Sequence, residues 1–202
     1  MKMKLMLVSV LLSLGVAVWP AQGAATVTAE VKKVVDEVVR IVSNKELKNP
    51  KFEGKRRAEL KRAIGSIFDY TQMAKLCLGA NWRKRTPAEQ KAFVPLFETL
   101  LENSYATKIE SYNNEKIVYL NENVEGDYAE VKSKVITARG EEFTLVYQLS
   151  NEGNKWMVYD VVIEGVSLVA NYRSQFSRII QAQGYNELVK KLQSKSAEIK
   201  AL

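Results

Sequence analysis

The sequence predicts an α+β fold, with helices first, then a twisted antiparallel sheet, then closing helices. Apolar residues recur at helical spacing as far as Tyr112, and four strand-like runs joined by short turns follow. The last run, Trp156–Ile163, then hands over to a helix. It is apolar, β-branched or aromatic at every place except Asp160, which predicts a strand covered on both faces. Gly165 breaks it, Ser167 is placed to cap, and Leu168–Gln183 reads as a helix stopped by Gly184.

The chain has 202 residues, 47% of them hydrophobic, enough for one core. Residues 1–23 read as a secretory signal peptide rather than a membrane anchor. Lys2 and Lys4 precede the apolar run Leu5–Val18, which is too short to span a bilayer, and small residues around Gly23 offer a cleavage site. The expectation is an exported, periplasmic, soluble product formed by residues 24–202 as a single domain. Within it the helical part covers 27–115, the sheet 116–163 and the closing helices 168–200.

Removing the leader takes the formal net charge from +7 to +5, a modest excess that suits anionic surfaces. Cys77, the single cysteine, lies in an apolar helical stretch and reads as a buried, inert thiol. Histidine is absent, which excludes a histidine triad, a Cys–His dyad and His-ligated zinc. No carboxylate pair stands out, so neither an enzyme nor a metal site is expected, and no cofactor.

Val31, Val34, Val35, Val38, Ile41 and Val42 set the apolar face of a first helix ending near Ser43. After Asn49-Pro50 comes an amphipathic helix whose polar side carries Lys55, Arg56, Arg57 and Lys61. That cluster is either a solvated face or a contact surface for an anionic membrane or acidic partner. Phe68–Leu78 reads as another helix, closed by Gly79. Thr86-Pro87-Ala88-Glu89 is a capping box opening a helix to about Tyr112, roughly 40 Å long, with Pro95 bending it.

The expected strands are Lys116–Asn121, Tyr128–Ala138, Glu142–Ser150 and Lys155–Ile163. In the second, Val131, Ser133 and Val135 alternate with Glu130, Lys132 and Lys134; the charged row must face water, so the small row points inward. Small residues opposite Leu145 and Tyr147 either let a helix pack closely or leave space beneath it. A last helix is expected over Asn186–Lys200.

A family resemblance rests on many landmarks in register. Phe68-Asp69, Met73-Ala74, Leu78-Gly79, Trp82, Thr86, Gln90, Phe93, Phe97 and Tyr105 stand in the order of the MlaC family, also called toluene-tolerance or Ttg2 proteins. So do Tyr159-Asp160, Gly165-Val166-Ser167-Leu168, Asn171-Tyr172-Arg173 and Phe176. The resemblance covers residues 30 to 195. It implies a nuclear-transport-factor-2-like sheet joined to helices around an apolar cavity, and a carrier without catalytic machinery. It further implies a periplasmic shuttle of glycerophospholipid between an outer-membrane lipoprotein–porin complex and an inner-membrane ABC transporter with an MCE-domain ring. Such a carrier maintains outer-membrane lipid asymmetry, binds no nucleic acid and works as a monomer.

On that footing the residues expected to line the cavity are Tyr105, Ile109, Val131, Val135, Leu145 and Tyr147, with Val162, Val166, Leu168, Tyr172 and Phe176. Arg173 is a candidate to hold a structural carboxylate such as Asp160, with contact to the lipid headgroup as the alternative. Two other classes stay open: an enzyme of the ketosteroid isomerase kind, with Asp160 as base, and a periplasmic interaction or chaperone module that carries no lipid.

Overall fold

The computed structural model describes residues 26–194. The leader and the expected continuation of the last helix to Lys200 lie outside them.

Four helices come first. Helix α1, Val27–Ser43, starts where the Thr26 hydroxyl accepts from the Ala29 amide at 3.2 Å. A 3₁₀ turn at Pro50–Phe52 leads into α2, Glu53–Gly65. Helix α3, Tyr70–Leu78, begins later than the apolar pattern suggests, because Ile67 lies in a turn and Phe68 forms a bridge to Val158 of the sheet. The Asp69 amide donates to Val158 O at 2.9 Å and the Val158 amide to Ile67 O at 2.7 Å. The chain leaves α3 through Gly79, whose φ of 54° lies in the region that favours glycine.

Helix α4, Pro87–Glu110, carries both arms of its capping box. Glu89 accepts from the Thr86 amide at 2.7 Å, and Thr86 Oγ1 from the Glu89 amide at 3.2 Å. The bonds that the Glu89 carboxylate accepts from the Thr86 amide and hydroxyl hold it below the usual range for a glutamate. Pro95 sits inside the helix, and the Thr99 hydroxyl donates to its carbonyl at 2.9 Å.

The sheet is an antiparallel meander of β1 (Lys116–Glu125), β2 (Tyr128–Ile136), β3 (Glu142–Glu152), β4 (Lys155–Ile163) and β5 (Val166–Ser167), in chain order. Strand β4 is therefore not the last, as the sequence suggests. Glu164 and Gly165, both at positive φ, turn the chain back so that Val166 and Ser167 pair with Ile163 and Val162. Helices α5 (Leu168–Gln183) and α6 (Tyr185–Gln193) complete the molecule.

Three apolar clusters hold these elements. Helices α3 to α6 enclose Met73, Cys77, Leu78, Phe93, Phe97, Tyr172, Phe176 and Leu188. Helix α1 packs on the sheet through Val27 and Val31, which meet Ala129, Val131, Leu149 and Val158. Ile41, Val42, Leu47 and Leu60 join α1 to α2. Tyr105 touches both the helical and the sheet cluster.

Candidate functional site

Strand register decides which side chains face the helices. Val131 pairs with Tyr147, Ser133 with Leu145, and Val135 with Phe143. Across the next interface Tyr147 meets Val161 and Leu145 meets Ile163. On the other side Ser133 meets Tyr119 and Val135 meets Ile117. Directly paired residues share a face, so these form one inner surface, and Glu130, Lys132 and Lys134 form the outer one.

Burial along that inner face is graded. At one end Ala129, Val131, Leu149 and Val158 are buried under α1. Toward the other end, Leu145, Tyr147, Ile163 and Tyr119 are only half-buried although they point inward. At the rim Phe143 is 42% exposed and Val166 46% exposed. Helix α4 packs mainly on α3 and α6. It reaches the sheet cluster through Tyr105. The result is a cleft with mainly apolar walls, buried at one end and partly exposed at the other.

The expected cavity residues fall into several places. Tyr105, Leu145 and Tyr147 stand together on the cleft, with Val135 on the inner face at its mouth. Val131 shares that face but is fully buried in the closed end. Leu168 is buried in the same sheet cluster. Tyr172 and Phe176 are fully buried among the rings of Phe93 and Phe97, in the helical cluster away from the sheet. Ile109 packs beside the α1–α2 cluster with Tyr112. Val166 is on the exposed rim.

Val162 departs from the expectation most clearly. It pairs with Val146, which pairs with Lys132, so it lies on the outer face. A bulge causes the error. Leu149 opposes Val158 while Gln148 opposes Asp160, so Tyr159 is the extra residue and simple alternation along β4 fails there. A second bulge at Leu120 hides Tyr119 in the same way, because the register passes from Tyr119↔Ser133 to Asn121↔Lys132. Sequence reading missed Tyr119 and Ile163; only the bulge positions would have revealed Tyr119.

Asp160 and Arg173 are not partners. The buried Asp160 carboxylate accepts from the Val161 amide at 2.8 Å, the Val169 amide at 3.0 Å and the Ser167 hydroxyl, fixing the passage from β4 to α5. Arg173 donates instead to Leu76 O at 2.7 Å, its side chain lying against Gly79. Both carboxylate oxygens are thus engaged in holding the fold. Cys77 is buried, its thiol against Val169 O at 3.7 Å and its pKa pushed up chiefly by burial.

The basic cluster on α2 is largely committed to α4. Arg56 pairs with Glu110 at 3.2 Å and donates to Leu47 O at 2.6 Å. Arg57 meets Glu53 at 2.9 Å and Glu110 at 3.7 Å, and Lys61 meets Glu98 at 3.2 Å and Glu102 at 2.8 Å. Lys55 is exposed. Arg56 also lines a separate polar pocket of about 550 Å³ with Val42, Lys48, Glu110 and Tyr112. Among the described residues no cluster of His, Cys, Asp or Glu is arranged to hold a metal ion. No described helix is long and apolar enough to cross a membrane.

The MlaC protein family model matches residues 32–194, nearly the whole described chain. The chain belongs to the MlaC family. It is 29% identical over 126 residues to the intermembrane phospholipid transport system binding protein MlaC of Haemophilus influenzae, covering 60% of this chain and 59% of that one. It is 28% identical over 142 residues to the toluene tolerance protein ttg2D of Pseudomonas putida, covering 69% and 66%. The matched segments thus span less than two thirds of either relative. The fold is similar to that of a phospholipid-binding protein from Ralstonia solanacearum solved in complex with a phospholipid. There the TM-score is 0.77 and the identity 28%, over 86% of this chain and 98% of the other. A solved protein of similar architecture thus holds a phospholipid.

Proposed function

We propose that this MlaC-family chain is a periplasmic phospholipid carrier, made as a precursor whose residues 1–23 direct export. The observation that supports this best is the pairing of a half-open apolar inner face with a fold whose solved relative holds a phospholipid. The lipid's acyl chains lie between the sheet and α4, against Tyr105, Leu145, Tyr147 and Ile163, and its headgroup stays near the Val135–Phe143 rim. The carrier has no cofactor, acts as a monomer and is not an enzyme.

The energetics explain why such a carrier is needed. Each methylene left in water costs about 0.8 kcal/mol, so two long acyl chains oppose desorption by roughly 20 kcal/mol or more. A soluble shuttle must match that apolarity, and release then requires a partner that opens the cleft. The partners are an outer-membrane lipoprotein–porin complex and an inner-membrane ABC transporter with an MCE-domain ring, between which the chain maintains lipid asymmetry.

Organic extraction of the purified periplasmic protein, read by mass spectrometry, tests the reading. Phospholipid in stoichiometric amount is the expected result. A folded protein that extracts clean and takes up no lipid from vesicles would instead fit an interaction or chaperone module.

A further inference from the structure

The cleft wall is not wholly apolar. Ser133 and Tyr119 are direct partners across β1 and β2, and Tyr147 stands diagonally from Ser133 on β3. All three point inward. Ser133 is fully buried, and its Oγ and the Tyr119 Oη are buried without a hydrogen-bond partner among the described residues. The Tyr147 hydroxyl lies beside Ser133 without reaching good bonding geometry. Burial raises the pKa of both phenols, so both remain proton donors throughout the physiological range.

Buried hydroxyls without partners are costly to maintain, and a group that enters the site with a lone pair removes the cost. The chemistry narrows what that group is. Hydroxyls that can donate, set among Leu145, Val131 and Val135 with no lysine or arginine among the described inner-facing strand residues, suit a neutral acceptor. A phosphate would be stripped of water there without a counter-charge. Ser133 stands two residues, about 7 Å, inside the Val135–Phe143 rim. In a glycerophospholipid, the neutral acceptors a few bonds below the phosphate are the ester carbonyls of the acyl chains.

We propose that Tyr119, Ser133 and Tyr147 form a hydrogen-bonding site for an acyl-ester carbonyl of the bound lipid. The site gives the cleft a preference for ester-linked over ether-linked chains. It also fixes how deep the glycerol sits, the chains running on across the strands toward Leu145, Ile163 and Tyr105. This rests on the phospholipid reading above and specifies the polar part of that contact.

The experiment compares delipidated wild-type protein with Tyr119→Phe, Ser133→Ala and Tyr147→Phe. Each is loaded from competing diacyl and dialkyl phosphatidylethanolamine of equal chain length. The wild type should favour the diacyl lipid by about tenfold, and the triple variant should bind both alike, each hydroxyl accounting for a few-fold. In lipid-free protein, Tyr119→Phe and Ser133→Ala should leave the melting temperature unchanged or raise it, because they delete unpartnered groups. A large drop would mark them as structural.

Infrared spectra of wild-type protein loaded with ¹³C-carbonyl diacyl lipid decide the matter even if the variants fold poorly. The ester band should lie below its position in hydrocarbon. Equal uptake of both lipids with an unshifted ester band would overturn the proposal while leaving the carrier reading intact. Uptake of neither lipid would overturn the carrier reading itself.

Discussion

The two apolar halves of this molecule are built from similar residues and finished differently. In the helical half, Phe93, Phe97, Tyr172 and Phe176 meet stacked, edge-to-face or tilted, with centroids 5.7 to 6.4 Å apart, and none is exposed. In the sheet half, Leu145, Tyr147, Tyr119 and Ile163 point inward yet remain half-buried, and hydroxyls stand among them. One half spends its apolar surface on its own stability. The other leaves part of that surface exposed, which is the room the proposed lipid would fill. The difference lies in how closely the helices approach: α3, α5 and α6 close on one another, whereas α4 reaches the sheet cluster through Tyr105.

The largest effect should come from the sealed half. Phe97→Ala opens a cavity among rings that cannot collapse freely and should cost about 3–5 kcal/mol, read by urea denaturation. Lipid bound per folded molecule should stay near the wild-type level. A smaller stability loss coupled to lost lipid would mean that the aromatic cluster, not the sheet, faces the ligand.

A pair of tryptophans sharpens the comparison within the sheet half. Val131→Trp overpacks the closed end and should cost roughly 1–3 kcal/mol. Leu145→Trp, on the same face but in the half-buried stretch, should change the melting temperature little. It should cut co-purified phospholipid sharply, because the indole takes the volume meant for acyl chains. Lys132→Trp, on the outer face, is the control for both quantities. If Val131→Trp is as stable as the wild type, the closed end is open space and the gradient along β2 is wrong.

Alkaline pH probes the sealed half in another way. Burial is the first cause of the raised pKa of Tyr172. A phenol whose folded pKa is raised contributes stability that is fully present below its ordinary value near 10 and is lost as pH rises toward the folded value. Above pH 10, Tyr172 should therefore steepen the fall in stability by up to about 1.4 kcal/mol per pH unit. Tyr172→Phe should flatten that slope between pH 10 and 11, whatever it does at pH 7. An unchanged slope would mean that the ring is less enclosed than its burial indicates.

How much of this was legible in the sequence follows from how local each cause is. The capping box at Thr86–Glu89, the helix start at Ser167 and the alternation of Val131, Ser133 and Val135 each depend on neighbours in the chain, and each is where the pattern puts it. The bulges at Leu120 and Tyr159 depend on pairing between strands, so the faces of Tyr119 and Val162 could not be read. The partner of Arg173 is a carbonyl on α3, and no side-chain pattern announces a backbone acceptor. The lysines and arginines of α2 looked like one surface because the α4 glutamates that hold Arg56 and Lys61 lie 37 to 54 residues away in the chain.

That basic cluster supports the smallest prediction, at the contact between α2 and α4. Lys61 ties α2 to α4 through Glu98 and Glu102, and the hydrogen bond to Glu102 is the first cause of its raised pKa. The lysine is half exposed, so water and salt screen the pair, and Lys61→Ala should cost only about 0.2–1 kcal/mol. Lys55→Glu reverses an exposed charge and should leave stability unchanged. If the cluster guides approach to anionic surfaces, Lys55→Glu should slow lipid delivery to anionic vesicles, mostly at low salt where screening is weakest. Lys61→Glu places a third carboxylate beside Glu98 and Glu102, so it should loosen α4 and alter delivery at high salt as well. Stopped-flow transfer of fluorescent phospholipid at low and high ionic strength separates the two effects. Equal rates for Lys55→Glu and wild type at low salt would make this face an ordinary solvated surface, with Arg56, Arg57 and Lys61 serving only to hold α4 to α2.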